Sequence, residues 1–465
     1  MPRSALRRPE LISFTRRLPR VTDLERVLIK GLTAVVTQDE KRRVLRDADI
    51  LIEGSEIAAV GRDLPGGADV VIDGRGKVAI PGLINAHTHI PMTLFRGVAD
   101  DLDLMTWLQE KIWPMEAHLT AEEVAAGAAL GMYEALRTGT TTFADMYFFE
   151  DAIAEEAIRL NIRAVLAESY IGFGSPVVRD GWKAFEYAKE FVKRWKGRHE
   201  LITPSLGPHA PYSVEPDLLR ASAEAARELG VPLQIHLAED RSEVEKVTRD
   251  YGKTPVRHVE SLGLFEGNRV IAAHVVHPQD GEIQILKERR VLVAHNPISN
   301  MKCGAGFAPI PDYLREGVLV GLGTDGAGSN NCLDMFETMK VAALIHKGYT
   351  GDPKVVSAQE ALDMATVLPA RALGLNVGSI EPGRLADIVL VSTESPWWRP
   401  LHSIVSHIVY AARSTDVTHV FVGGKLSIED GRLVTADPGE IVKRAEEAAL
   451  RLMEKGGVES FRSGA

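Results

Sequence analysis

The sequence predicts an α/β protein in which a (β/α)8 barrel is combined with a small β-sandwich domain built from both ends of the chain. Three observations support this prediction. Strand-like and helix-like segments alternate through the middle of the chain, short apolar runs separated by glycine and charged residues occupy both ends, and polar side chains recur where the predicted barrel strands end.

The composition is that of a folded protein with an acidic surface. The chain has 465 residues, of which 45% are hydrophobic and 25% are charged, and its formal net charge is −10. This negative charge disfavours broad binding to nucleic acids or to anionic membranes. No apolar segment has the length of a transmembrane helix. The chain contains only two cysteines, Cys303 and Cys332, so no disulfide framework is expected and a cytoplasmic location is predicted.

The two chain ends are predicted to share one small domain. Residues 1–27 form an arginine-rich extension, and its adjacent arginines are not followed by the apolar segment of a secretion signal. Residues 28–80 contain short apolar runs that predict strands, and similar runs return in residues 381–437. The last segment, 438–465, is amphipathic and predicts a C-terminal helix.

Residues 81–380 are predicted to form the barrel. Apolar strand candidates alternate there with helical patterns such as Ala121–Arg137 and Pro216–Leu229. The first predicted strand ends at His87-Thr-His89. The others are Thr140–Ala144, Arg163–Glu168, Leu201–Gly207, Pro232–His236, Val270–His274, Val291–His295 and Val318–Gly323. In such a barrel the catalytic groups come from the carboxyl ends of the strands.

Histidines recur at those strand ends. They are His87, His89, His209, His236, His274 and His295, and Asp325 follows the eighth strand. In an extended chain residues two apart point the same way, so His87 and His89 face together and supply half of a zinc site. A single buried histidine is more often a core residue. Histidines at the ends of several successive strands instead indicate a metal-dependent active site.

With these residues in place, the sequence resembles the amidohydrolase superfamily, and more narrowly its branch of S-adenosylhomocysteine/5′-methylthioadenosine deaminases. The resemblance extends over nearly the whole chain after the N-terminal extension. The matching segments are Pro81–His89, Leu94–Gly97, Ile112–Glu116, Gly207–Pro211, His236–Glu239, Ser299–Gly304 and Gly323–Asn331.

The resemblance implies one metal ion per subunit, with Zn²⁺ the expected metal and another divalent ion the alternative. The ligands it implies are His87, His89, His236 and Asp325. Relatives with two metal ions carry a carboxylated lysine after the fourth strand. This chain has His209 at that point, which favours a mononuclear site.

The resemblance also implies catalytic roles in hydrolytic deamination. Asp325 would act as general base, and His274 would donate a hydrogen bond that orients the attacking water. Glu239 would protonate the ring nitrogen beside the carbon under attack.

Substrate-binding roles are implied in the same way. Glu116 would accept hydrogen bonds from the ribose hydroxyls, and His209 would contact the sugar or the attacking water. Arg179 is the candidate for binding a substrate carboxylate. Because no second arginine is evident beside Arg179, an apolar 5′ group on the substrate is equally open.

The implied substrate is a small nucleoside that contains adenine: 5′-methylthioadenosine, S-adenosylhomocysteine, 5′-deoxyadenosine or adenosine. A homo-oligomer is also expected, since oligomers are common in the superfamily. The enzymatic alternatives are a guanine deaminase and a triazine-type ring hydrolase. A non-catalytic scaffold protein is the remaining alternative, and the presence of all four implied ligands together with Glu239 and His274 disfavours it.

Overall fold

In a computed structural model, which describes residues 26–98, 100–102 and 106–457, the chain forms two sheets surrounded by helices. One is an eight-stranded parallel sheet rolled into a barrel, and the other is a nine-stranded sheet built from both chain ends. The predicted fold class is therefore confirmed. The N-terminal extension predicted for residues 1–27 lies almost entirely outside the described residues.

The barrel strands follow one another in chain order, and the last strand packs against the first. Their residues are almost all buried, as expected for parallel strands covered on both faces. The strands are Leu83–Thr88, Thr140–Tyr147, Arg163–Tyr170, Ile202–Pro208, Leu233–Leu237, Val270–His274, Leu292–His295 and Leu319–Leu322.

The α-helices lie mainly in the connections between barrel strands. They are Trp113–Glu116, Ala121–Arg137, Glu150–Leu160, Gly181–Trp195, Pro216–Leu229, Arg241–Tyr251, Pro255–Ser261, Glu282–Glu288, Pro297–Lys302, Ile310–Glu316, Ala327–Asn330, Met335–Thr350, Ala358–Met364, Val367–Leu373, Ile404–Ser406 and Pro438–Gly456. Shorter 3-10 or π-helical turns are Ile90–Phe95, Trp107–Ile112, Pro396–Trp398, His407–Ala411 and Ser414–Asp416. Among the described helices, none combines the length and the apolar character needed to cross a bilayer.

The second sheet joins strands from before and after the barrel. Lys77–Pro81 pairs in parallel with Arg26–Val36 and antiparallel with Ile388–Ser392, so the two halves meet at its centre. The remaining strands are Val44–Glu53, Glu56–Gly61, Val70–Asp73, Val417–Val422, Lys425–Glu429 and Arg432–Leu433. The domain boundaries drawn from the sequence stay predictions.

Gly82 connects the two sheets. A Cβ atom at this position would lie 2.0 Å from the Thr141 Oγ1 atom, so only glycine allows the chain to pass so close to the second barrel strand. The first barrel strand begins at the next residue, Leu83. This close passage fixes where the strand Leu83–Thr88, which carries His87 and is followed by His89, enters the barrel.

A buried ion pair links the barrel to the second sheet. The Arg163 guanidinium donates to both carboxylate oxygens of Asp387, at 3.1 and 3.2 Å, and both residues are buried. Replacing Asp387 with alanine is expected to lower the free energy of unfolding by about 3 kcal/mol, because it leaves a buried guanidinium without its counter-charge. Urea titration of the variant and the unmodified chain would measure this loss.

The control for that experiment is Asp73→Ala, which removes the exposed ion pair between Asp73 and Arg75. Solvent screens this pair, so the variant should unfold at the same urea concentration as the unmodified chain. Equal unfolding midpoints for the Asp387 and Asp73 variants would show that the buried pair does not hold the two sheets together.

Candidate active site

Three imidazoles and one carboxylate meet at the carboxyl ends of the barrel strands. Asp325 Oδ1 lies 3.5 Å from His87 Nε2 and 3.2 Å from His89 Nε2. His236 Nε2 lies 3.3 Å from His89 Nε2. The structure thus brings together the four residues that the resemblance implies as metal ligands. His274 lies close enough to His87 and His236 to form a further group of potential ligands.

Backbone carbonyls orient two of the imidazoles. His89 Nδ1 donates to the Met146 carbonyl at 2.7 Å, and His236 Nδ1 donates to the His209 carbonyl at 2.9 Å. Because a carbonyl can only accept, the proton of each neutral ring lies on Nδ1, and the Nε2 lone pair is free for a ligand.

Asp325 is oriented by two hydroxyl groups. Ser299 Oγ and Ser329 Oγ donate to its Oδ2 atom at 2.6 and 2.7 Å. Its Oδ1 atom, like His87 Nε2, is buried without a hydrogen-bond partner among the described residues. Buried polar atoms without partners are rare and need an explanation. A cation bound between these atoms would provide one.

The protonation of His87, His236 and Asp325 suits a metal ion. The adjacent Asp325 carboxylate outweighs burial at His89 and raises its pKa to about 9, so a metal ion has to displace a proton from this one ring. Burial lowers the pKa of His87 to about 4, and burial beside other histidines lowers the pKa of His236 well below its usual value. Burial alone would raise the pKa of Asp325, but the adjacent imidazoles of His87 and His89 outweigh it and hold that pKa well below the usual range. Metal ligands must be unprotonated, and neutral imidazoles with a carboxylate are a typical donor set for zinc.

The backbone at these strand ends is unusual. Ala238, His274 and Asp325 have φ angles of 47°, 72° and 59°. Positive φ angles are uncommon for residues that carry a Cβ atom. Such conformations each cost about 1–3 kcal/mol and tend to cluster at functional sites.

Glu239 and His274 lie beside the cluster. Glu239 Oε1 is 3.7 Å from His274 Nε2, and burial raises the pKa of Glu239. His274 Nδ1 lies 2.8 Å from Asn300 Oδ1, to which it can donate, and 3.3 Å from Asn296 Nδ2, from which it can accept. When Nδ1 accepts, the neutral ring carries its proton on Nε2, which is the tautomer that the donor role implied for His274 needs.

A pocket opens above the cluster and contains about 650 Å³ of empty space, including its mouth. Glu116 and His209 line it. Tyr147 Oη donates to Glu116 Oε1 at 2.6 Å, and His209 Nδ1 lies 2.8 Å from the Ser213 hydroxyl oxygen. Burial lowers the pKa of His209 to about 3, so this ring is neutral.

Arg179 lies apart from this group. It is exposed and lines a second cavity, which shares Trp113, Glu116, Phe148 and Ile171 with the first. Among the described residues, no acidic side chain forms an ion pair with Arg179. The structure therefore places it next to the pocket that holds Glu116 but does not bring it to the histidine cluster.

Four residues that position the site were not predicted from the sequence: Tyr147, Ser299, Asn300 and Ser329. Three of them lie inside the segments that carry the resemblance, where no role was assigned to them. Tyr147 is the last residue of the second barrel strand, so the same strand-end rule that singled out the histidines could have found it.

The barrel, the imidazoles and carboxylate at its strand ends and the pocket above them are the arrangement expected of an amidohydrolase. The sequence model of the amidohydrolase family matches residues 78–427, and the chain belongs to this family.

Two curated proteins and one solved structure are similar to most of this chain. The chain is 44% identical to a 5-methylthioadenosine/S-adenosylhomocysteine deaminase of Pelotomaculum thermopropionicum and 46% identical to a 5′-deoxyadenosine deaminase of Methanopyrus kandleri; each alignment covers 92% of this chain and 99% of the relative. A crystal structure of an adenosine deaminase from Xanthomonas campestris with bound zinc superposes with a TM-score of 0.89 at 35% identity, and covers 92% of this chain and 98% of that one.

Proposed function

We propose that this protein is a zinc-dependent deaminase that converts nucleosides containing adenine into the corresponding inosine analogues and ammonia. The observation that supports this proposal most strongly is the position of Glu239 and His274. They lie beside the cluster of imidazoles and Asp325, at the base of a pocket that Glu116 lines. The 44% and 46% identity to deaminases of such nucleosides supports this choice of substrate.

In this proposal His87, His89, His236 and Asp325 hold the zinc ion. The donor set fits, because two Nε2 lone pairs are left free by carbonyl hydrogen bonds and Asp325 Oδ1 is buried without a partner among the described residues. A bound zinc ion lowers the pKa of water towards neutrality and so supplies a nucleophile at neutral pH.

The chain's own residues move the protons. Asp325 removes a proton from the attacking water, and the hydroxyls of Ser299 and Ser329 keep its carboxylate in place. Glu239 is buried and its pKa is raised, so it can carry a proton to the ring nitrogen beside the carbon under attack. Protonation makes this carbon more electrophilic, so the water oxygen adds to it. The C–N bond then breaks as the proton held by Asp325 passes to the amino group, which leaves as ammonia, and the hydroxyl proton of the adduct returns to Glu239 as the carbonyl forms. His274 contacts the attacking water through its Nε2 atom.

Nucleoside recognition is assigned to the upper part of the pocket. Glu116 accepts hydrogen bonds from the ribose hydroxyls, and the neutral His209 contacts the sugar. The second cavity, which begins at Glu116, is where a 5′ substituent would extend. Its apolar wall suits a methylthio or deoxy group, and Arg179 at its edge offers one cation to an amino-acid carboxylate.

Replacing Arg179 with methionine tests this assignment. Turnover of S-adenosylhomocysteine, measured as kcat/KM, should fall about tenfold because a charged hydrogen bond to the carboxylate is lost. Turnover of 5′-methylthioadenosine, which has no carboxylate, should not change. The control is Arg194→Met, since Arg194 is already paired with Asp151 outside the cavity. Parallel losses for both substrates would rule out a carboxylate role for Arg179.

The proposal as a whole is tested by incubating the zinc-loaded protein with adenosine, 5′-deoxyadenosine, 5′-methylthioadenosine and S-adenosylhomocysteine. The ultraviolet change from adenine to hypoxanthine and the release of ammonia report the reaction. We expect turnover of at least one of the four, with 5′-methylthioadenosine or 5′-deoxyadenosine among the best. A protein with bound zinc that leaves all four unchanged would refute the nucleoside assignment.

The cytoplasmic location and the homo-oligomer expected from the sequence stay predictions.

A further inference from the structure

Tyr147 is the last residue of the second barrel strand, and its side chain lies in the pocket wall. Both the ring and the backbone of Tyr147 are held in place. The ring centroid lies 5.1 Å from that of Phe148 and 6.1 Å from that of His89. The backbone N–H of Tyr147 donates to Glu150 Oε1 at 3.0 Å. The phenol oxygen ends 2.6 Å from Glu116 Oε1. Because a carboxylate can only accept, the Tyr147 hydroxyl donates its one hydrogen bond to Glu116.

Glu116 is the last residue of the helical turn Trp113–Glu116, whose backbone is also held in place. The neighbouring Met115 is fully buried and packs against Gly456 near the end of the C-terminal helix, where an added Cβ atom would lie 2.7 Å from Met115 Cγ. The backbone of Glu116 is therefore fixed, and the remaining freedom lies in the torsions of its long side chain. The hydrogen bond from Tyr147 removes that freedom.

The second carboxylate oxygen of Glu116, Oε2, does not share the hydrogen bond from Tyr147. In the described part of the chain, no donor reaches the Oε2 atom, although the residue is only 8% exposed and lines the pocket. A carboxylate oxygen that is accessible from the pocket and receives no hydrogen bond from the described residues is an acceptor site for hydroxyl groups of a ligand.

We propose that Tyr147 is a positioning residue that makes the pocket selective for ribonucleosides over deoxyribonucleosides, because it holds the Glu116 carboxylate where the ribose 2′ and 3′ hydroxyls can donate to it. This inference rests on the proposed function, since it requires a nucleoside in the pocket. Tyr147 acts through Glu116 and does not touch the reacting atoms. A fixed acceptor binds a diol more tightly than a mobile one, because less side-chain freedom is lost on binding.

The test is the variant Tyr147→Phe, which removes the hydroxyl and keeps the ring. The substrates are the ribonucleoside that the protein turns over best and its 2′-deoxy and 2′,3′-dideoxy analogues. For the ribonucleoside, we expect KM to rise about tenfold, the effect of weakening hydrogen bonds to a charged group, with kcat nearly unchanged. For the dideoxy analogue, which cannot donate to Glu116, neither constant should change. The 2′-deoxy analogue should show an intermediate effect.

Two further variants separate positioning from stability. Tyr170→Phe is the matched control, because it removes another buried phenol hydroxyl, which donates to Ser222 Oγ at 2.7 Å and lies away from the pocket. It should leave the ratio between ribonucleoside and dideoxy analogue unchanged. Glu116→Gln should produce the same loss of selectivity as Tyr147→Phe, and the double variant should lose no more than Glu116→Gln alone, because the two residues act through one carboxylate.

Equal losses for all three nucleosides in Tyr147→Phe would show a merely structural role and overturn the inference. An unchanged selectivity ratio in that variant would overturn it as well, while leaving the proposed function intact. A protein that turns over no nucleoside at all, before any substitution, would instead refute the proposed function and the inference with it.

Discussion

Replacing Glu239 with glutamine is expected to lower kcat for the nucleoside about 10³-fold, which is the typical contribution of a general acid. Glutamine keeps the shape and the carbonyl oxygen of the side chain but has no proton to transfer to the ring nitrogen. Burial raises the pKa of Glu239, which favours the protonated form that this step needs. Steady-state rates measured by the ultraviolet change would give the loss.

The same variant should retain its metal ion, because Glu239 is not among the four proposed ligands. The control is Asp240→Asn. Asp240 is the next residue along the chain, but its carboxylate caps the helix Arg241–Tyr251 by accepting from Ser242 N at 2.7 Å. Asparagine is an equally good cap, so both stability and turnover should be retained. Full activity of Glu239→Gln would exclude the residue as the acid, and loss of zinc in that variant would show that it supports the metal site.

Replacing Asp325 with asparagine is expected to remove the metal ion and, with it, almost all turnover. Asp325 is the only anionic member of the proposed ligand set, and its Oδ1 atom faces both His87 and His89. The amide oxygen can still accept from Ser299 and Ser329, but the NH2 group then takes the place of Oδ1 beside His87 and His89, where it has no lone pair to offer a metal ion. Elemental analysis after dialysis against a chelator should find far less than one zinc ion per chain.

His277→Gln is the matched control for this experiment. His277 lies three residues after His274 and bonds to the Ala305 carbonyl, away from the ligand cluster. This variant should keep one zinc ion per chain after the same dialysis. If Asp325→Asn retains zinc as well as His277→Gln does, the carboxylate is not a ligand, and the metal site is built from the imidazoles alone.

The barrel strands could be predicted closely because parallel strands buried on both faces appear as continuous apolar runs in the sequence. The prediction Val270–His274 agrees with the structure, and Val318–Gly323 differs from it by one residue at each end. The second strand was predicted only as Thr140–Ala144, whereas it continues to Tyr147. Asp145 interrupts the apolar run, although it is fully buried and accepts from the Ile90 backbone N–H. Because the predicted strand ended before Asp145, Tyr147 was not predicted to be a strand-end residue.

The site could be predicted in part. Side chains at the carboxyl ends of parallel strands must converge, so the grouping of the histidines and Asp325 follows from the strand pattern. The two serines that orient Asp325 come from two separate short helices, Pro297–Lys302 and Ala327–Asn330, whose positions depend on the whole fold. The distance of Arg179 from the cluster likewise depends on the course of the loop after the third strand, which has no regular pattern in the sequence.

The most direct test of the account is the dependence of nucleoside deamination on zinc. The protein would be stripped of metal with a chelator, reloaded with increasing amounts of zinc, and assayed with 5′-methylthioadenosine and 5′-deoxyadenosine. We expect turnover to rise in proportion to bound zinc up to one ion per chain, with one ammonia released for each inosine analogue formed. A chain with one bound zinc ion that converts guanine or a triazine, and neither nucleoside, would contradict the account.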